Sequence, residues 1–472
     1  MSKSLESRTS VDVVVVGAGF SGLSAAERLV ELGLSVVVLE GRDRVGGRVR
    51  TGEVAGVPVD FGGTWVSPRH TAIRDLAQRY GCSITPQFAD GRNTLWMGGR
   101  RRTYKGTIPP VSPLTVVNMA RVQMAIEKLV ATIDPEAGWR SPNAAELDAI
   151  SFGQWLGQQR AGAATRALMN MVSRVQWGAS PDDLSMLSIL RYIRGAGGFD
   201  HMLDVENGMQ QDRITETTQE IAKRVAAHLG DRVRLSSPVR RIAQDGTGVT
   251  VDTDAESITA RYAIVTTATM HRKDIAFEPA LSERAVSLSK LWRLGGLSKA
   301  FVAYETPFWR KEGVSGEGVS DTGAVFATFD VGPDDGPGVL LGFCDAVLFD
   351  GFDQETRRKR VIEQMVALYG PQAQNPIDYV DHRWLEEDFA PGGPNPALAP
   401  LALTSYATEL TEPHGRVEWA GTETAAESSG CMNGAVVTGQ QAAERVARRI
   451  ADDSVRSDPR ASARVGQTIG KD

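Results

Sequence analysis

The sequence predicts an α/β fold organised on a parallel sheet, and three observations near its start carry that expectation. Val13–Val16 is an unbroken β-branched run, the pattern of a strand buried on both faces. It leads directly into Gly17-Ala18-Gly19-Phe20-Ser21-Gly22, a G-x-G-x-x-G turn, after which Leu23, Ala26, Leu29, Val30 and Leu34 form the apolar face of a helix. A second strand, Val36–Leu39, ends at Glu40.

Each part suits a dinucleotide. Gly17 allows the tight turn, Gly19 lets backbone approach a pyrophosphate, and Gly22 brings the helix close to the sheet. The helix N-terminus offers free N–H groups to negative charge. Glu40 can accept hydrogen bonds from a ribose. A Rossmann-type dinucleotide-binding domain is therefore expected. The fingerprint alone does not choose between NAD and FAD.

Bulk properties narrow the function. The 472 residues are enough for about three domains, or fewer if they interleave. Hydrophobic content of 42% and charged content of 23% fit an ordinary globular protein. A net charge of −6 argues against nucleic acid or an anionic membrane as partner. Cys82, Cys344 and Cys431 are too scattered for a disulfide framework, and neither they nor the six histidines have metal-ligand spacing. No metal is expected. The start, MSKSLESRTS, lacks an apolar signal core, and no stretch approaches about 18 consecutive apolar residues. A cytoplasmic location follows as an expectation.

Along the chain, a helix is expected over 72–82, stopped at Gly81, and a hairpin over 92–104 through Met97-Gly98-Gly99. Residues 108–200 read as helical, with helices over Val116–Ile133 and from Ser151, a plausible cap. A helix over Thr217–Leu229 precedes Val233–Leu235 and Pro238-Val239-Arg240-Arg241-Ile242. Val249/Val251 and Ile258–Tyr262 suggest a hairpin, and Tyr262–Thr267 a further buried strand. Strands at Lys299–Tyr304, Gly323–Phe329 and Val339–Phe343 precede a helix at Gln354–Tyr369. Val417–Thr424 reads as a strand, and Gly430–Val436 begins the last helix.

Several segments carry a family resemblance. They are Arg42, Arg44, Gly46-Gly47-Arg48; Asp60-Phe61-Gly62-Gly63-Thr64-Trp65; Leu297-Ser298-Lys299-Ala300-Phe301 followed by Pro307-Phe308-Trp309; and Ala420-Gly421-Thr422-Glu423-Thr424 through Gly430–Val436. Together they resemble the FAD-dependent amine oxidases, the family of monoamine, polyamine, nicotine and L-amino acid oxidases. Physical chemistry agrees, since paired glycines let backbone approach a flat ring and arginines can neutralise phosphates.

The resemblance implies oxidation of an amine C–N bond to the imine on noncovalently bound FAD, with dioxygen reduced to hydrogen peroxide. It implies an interleaved architecture, with a Rossmann-type FAD domain over 10–85, 207–280 and 411–450. An α+β substrate domain would take 86–206 and 281–410, and 451–472 would form a polar, flexible tail. Lys299 matches the lysine that holds a water beside the flavin N5, and so is the catalytic candidate. Cofactor contacts are expected from Gly17, Gly19, Phe20, Ser21, Gly22, Glu40, Gly41, Arg42, Gly46, Gly47 and Arg48 at the nucleotide end. Gly62, Gly63, Thr64, Trp65, Val239, Gly421, Thr422, Cys431 and Met432 complete them. Trp384, Asn395 and Cys431 are expected in the substrate pocket.

Three departures stand out. Cys431 occupies the position of one of the two tyrosines that flank the amine in monoamine oxidases. Gly392-Gly393-Pro394-Asn395 supplies neither the other tyrosine nor the flavin-tethering cysteine. The glycine-rich signature before the helix at 217 reads Ile214-Thr215-Glu216-Thr217. An amino acid substrate would want an arginine for its carboxylate, and Arg69 and Arg191 are the candidates. A flavin dehydrogenase or desaturase with another acceptor, an L-amino acid oxidase and a non-catalytic flavoprotein stay open as alternatives. The oligomeric state is also open, a homodimer included.

Overall fold

The computed structural model describes residues 9–106, 111–393, 395 and 397–457. Two large sheets carry the architecture. In the first, Ser10–Val16 lies between two parallel neighbours, Val36–Leu39 and Ser257–Val265. Val233–Arg234 extends it on one side, and Val417–Trp419 adds in parallel to Ser257–Val265. Val249–Thr253 and Val239–Gln244 continue it antiparallel, and Ala276–Glu278 closes it.

Strand alternation divides the valine run between two cores. Val13 and Val15 join Val36 and Val38 under the helix Phe20–Glu31, whereas Val14 and Val16 join Val37, Leu39 and Trp419 on the opposite face. A strand covered on both faces has no position to spare for a polar side chain. The final helix, Met432–Ser457, packs along Phe20–Glu31 so closely that a Cβ on Gly439 would lie 2.1 Å from the Ser21 carbonyl oxygen.

The second sheet runs in the order Asp378–Arg383, Leu297–Tyr304, Gly338–Asp345, Val325–Asp330, Val314–Ser320, Arg92–Met97, Arg100–Tyr104. Only Val314–Ser320 and Arg92–Met97 pair in parallel. Leu297–Tyr304 is buried along its whole length. Ala300, Val302 and Tyr304 face the core beneath the helix Gln354–Tyr369. Leu297, Phe301 and Ala303 face the other side, and Lys299 shares their register.

A helical block, including Pro113–Val130, Ala163–Trp177 and Met186–Ala196, surrounds a core of its own. Ser151 caps Phe152–Gln158 in a full capping box with Gln154. The first helix of the block starts before Val116, because Ser112 caps it and Pro113 occupies its first position.

Three further differences have physical causes. The strands expected at Ile258–Tyr262 and Tyr262–Thr267 are one strand, Ser257–Val265, half-buried at first and fully buried later. Its two halves pair with different neighbours. Val314–Ser320, rich in serine and glycine, is a buried strand that its composition hides. The last helix continues past 451, held where Asp453 takes the Tyr262 hydroxyl at 2.8 Å and Arg416 at 2.9 Å. The tail expected from 451 therefore does not begin before 458, and 458–472 lie outside the described residues. Among the described residues no helix is long and apolar enough to cross a membrane.

Trp309 is fully buried against Tyr304, Phe308 and Tyr369, and its Nε1 donates to Asp330 at 2.7 Å. Trp309→Ala should lower the unfolding free energy by about 3–5 kcal/mol, read from the shift of the denaturant midpoint.

Candidate active site

A cavity of about 390 Å³ is lined by residues from both sheets. Every catalytic, cofactor and pocket residue expected from the sequence lines it except Gly22, and the alternative carboxylate partners Arg69 and Arg191 stay outside it. That glycine closes the turn instead: a Cβ there would fall 1.9 Å from the Gly17 carbonyl oxygen. Gly19 differs, because the nearest protein atom to an added Cβ lies 3.8 Å away. The space in front of Gly19 is free for a ligand to approach backbone.

The nucleotide end combines filled and unfilled hydrogen-bonding groups. Glu40 accepts from the Ala18 amide at 2.7 Å and the Arg42 amide at 3.1 Å, which fixes its carboxylate at the strand end. Arg42 donates to the carbonyls of Gly47 and Asp388, and Arg44 to those of Gly47 and Val49. Both guanidinium groups therefore brace the glycine loop. Arg48 pairs with Glu423 at 2.7 Å, but its Nη1 is buried with no partner. Ser21 Oγ and Thr267 Oγ1 are likewise buried and unpaired, and all three residues line the cavity. Unmet buried donors beside an open glycine fit an anionic, hydrogen-bonding cofactor such as FAD.

Further along, Lys299 projects into the turn that carries Gly62 and Gly63. Its Nζ donates to Gly62 O at 2.6 Å, Thr64 Oγ1 at 2.7 Å and Asp60 O at 3.1 Å. The rings of Trp65 and Phe343 lie 5.6 and 5.4 Å from the same atom. Burial lowers the Lys299 pKa and raises that of the Asp60 carboxyl. Asp60 takes both the amide and the hydroxyl of Thr218. Trp384 is anchored by Nε1 to Phe61 O at 2.8 Å, with its ring beside Gly62.

Beyond the lysine the walls change character. Asn395 donates to Gln176 O and to the Tyr192 hydroxyl, both at 3.1 Å. Cys431 sits at the start of the last helix, and burial pushes its thiol up to about 12. Thr422 holds the Cys431 carbonyl at 2.8 Å. Neither Arg69 nor Arg191 lines the cavity, and Arg191 is turned to the Ala425 carbonyl. The sequence reading missed His70, Gln176, Tyr192, Phe329 and Phe343, which stand on the walls. His70 stands at the start of the helix Thr71–Arg79, Gln176 and Tyr192 come from the helical block and Phe329 and Phe343 from the second sheet, and the fold brings them together.

His70 Nδ1 accepts the Ser67 amide at 3.1 Å, which leaves the ring proton on Nε2 in the neutral form. Burial, helped by His201 and Arg74, lowers its pKa to about 4. The unfolded chain, with a value near 6.5, binds the proton first. Stability should thus be complete above pH 6.5 and fall toward pH 4, by roughly 3 kcal/mol from this group. In His70→Asn, thermal melts between these pH values should lose most of that acid sensitivity.

Comparison with known proteins now adds to the geometry. The family model for flavin-containing amine oxidoreductases matches residues 20–447. A Mycobacterium tuberculosis protein named "Putative flavin-containing monoamine oxidase AofH" is 48% identical over 439 residues, covering 93% of this chain and 97% of that relative. The solved structure of wild-type putrescine oxidase bound to putrescine superposes with a TM-score of 0.89 at 31% identity, covering 93% of this chain and 99% of that one. Cyclohexylamine oxidase from Brevibacterium oxydans gives 0.88 at 30%, with the same coverage. The chain belongs to the flavin-containing amine oxidoreductase family, and is an FAD-dependent enzyme that oxidises amines.

Proposed function

We propose that this enzyme oxidises small or medium monoamines with an apolar carbon skeleton, and that Lys299 is its catalytic cation. One observation carries the substrate reading. Around Lys299 the cavity is walled by Trp65, Val175, Phe329 and Phe343, with amide, hydroxyl and thiol groups at Gln176, Tyr192, Asn395 and Cys431. Among the described lining residues the only carboxylates are Glu40, bound to two backbone amides, and Asp274, beside His271. A second ammonium on the substrate would therefore lose its hydration without meeting a counter-charge.

Bound FAD supplies the two-electron oxidation of the C–N bond, and dioxygen carries the electrons on to hydrogen peroxide. The protein contributes position, field and dryness. The aromatic walls exclude water around the reacting carbon. The Lys299 ammonium, held by three oxygens, would supply positive charge to favour the negative charge of the reduced flavin. The start of the Met432–Ser457 helix faces the same cavity and adds its partial positive charge. The division into a cofactor domain (10–85, 207–280, 411–450) and a substrate domain (86–206, 281–410) is supported by the two sheets. One draws its strands from 10–39, 233–278 and 417–419, the other from 92–104 and 297–383. The acidic net charge supports a cytoplasmic enzyme without nucleic-acid or membrane partners.

An anaerobic screen of alkyl and arylalkyl monoamines against diamines of matched length tests the substrate class. Monoamines should bleach the flavin with a kcat/KM about a hundredfold higher or more; a preferred diamine would overturn the reading. Lys299→Met should retain FAD yet slow oxidative turnover about tenfold or more. Because burial lowers the Lys299 pKa, its charge disappears at a lower pH than that of an exposed lysine. Wild-type oxygen consumption should accordingly fall as the pH rises through that value, and the variant should lose this limb.

A further inference from the structure

The bracing arginines converge on a residue with no counterpart among the sequence motifs. Arg50 Nη1 lies 2.6 Å from one carboxylate oxygen of Glu387, and Arg44 Nη2 lies 2.7 Å from the other. Arg42 Nε approaches at 3.5 Å and His382 Nε2 at 3.1 Å. The Glu387 side chain is only 6% exposed. Burial alone would raise its pKa, but His382 beside it and the bonds from Arg44 and Arg50 outweigh burial and hold the carboxyl well below the usual range. The next two residues reach the same loop: Asp388 O accepts Arg42 Nε at 2.8 Å, and the Phe389 ring packs on Gly41.

From these arginines the contacts continue to the dinucleotide turn. Arg42 and Arg44 donate to Gly47 O at 2.9 and 3.2 Å, and Arg44 also to Val49 O at 3.0 Å. Gly46 N in turn donates to Ala18 O at 2.9 Å, and the Gly47 Cα would lie 3.8 Å from a Cβ on Gly19. Gly46 and Gly47 both have positive φ, +111° and +61°, so the loop's shape depends on restraint from outside.

We propose that Glu387 is a positioning residue for FAD. Through Arg42 and Arg44 it sets the Gly46-Gly47 loop against the Gly17–Gly22 turn and so preserves the cradle for the cofactor's diphosphate. Arg42, Arg44 and Arg50 would otherwise repel one another in a half-buried space. A single carboxylate, delivered by the segment that follows the Asp378–Arg383 strand, makes their convergence stable. The assignment concerns the FAD that the family supplies and is independent of the substrate reading.

The test is FAD binding to apoprotein, followed by flavin fluorescence, with ADP as competitor. Glu387→Gln should weaken both FAD and ADP by about tenfold or more and by the same factor. Adding Arg44→Gln should weaken them no further, because the carboxylate acts on the loop through this arginine. A general loss of packing would make the two substitutions additive. FAD affinity within about twofold of wild type, additive losses, or weakened FAD with unchanged ADP would each overturn the proposal. If Glu387→Gln does not fold, Arg44→Gln alone should show the same joint loss of FAD and ADP, and affinities within about twofold of wild type would overturn it.

Discussion

The site depends on one buried cation. Lys299 comes from the second sheet, yet the oxygens that satisfy it belong to the 60–64 turn, which is part of neither large sheet. Burying an ammonium is costly unless its donors are met, and here all three are. On its far side the same turn is gripped by Thr218, whose amide and hydroxyl bond Asp60 and whose hydroxyl also reaches Gly63 O. Gly62 and Gly63 are thereby fixed between segments distant in sequence. Gly62 has no alternative residue: a Cβ there would lie 2.1 Å from Arg48 O.

Much of this was legible because local chemistry and tertiary role coincide. The valine run, the glycine turn and Glu40 each announce a buried strand, a close approach and an acceptor, and nothing in the fold competes with those demands. Lys299 was singled out by the resemblance of Leu297–Phe301 and Pro307-Phe308-Trp309 to the family, and the structure buries it with three oxygen partners. The helix Gln354–Tyr369 was read to the residue, and the structure adds Asp353 as its cap.

What escaped the sequence lies where side chains from separate segments meet. Glu387 looks like one more charge in Trp384-Leu385-Glu386-Glu387, and only the folded chain distinguishes it from Glu386, which pairs with the nearby Arg383. His70 looks like a residue of a polar loop and proves to be buried at a helix start. Thr217 shows the converse. It replaces the expected small residue and adopts φ +77°, a conformation unfavourable to a β-branched side chain, with its hydroxyl 2.5 Å from that of Thr51. Arg42 and Arg44 were read as flavin-contacting by resemblance and by charge; the structure adds that they donate to backbone carbonyls of their own loop, which no motif announces.

The pairing of the first helix with the last has a bearing on biosynthesis. Leu23 and Ala26 share a core with Ala442, Ala443 and Val446, and Val417–Trp419 completes a sheet begun at Ser10. The part of this cover that the last helix and the 417–419 strand provide therefore arrives only when nearly the whole polypeptide has been made. Until then the face of the first helix that the last one covers keeps its apolar residues open to water.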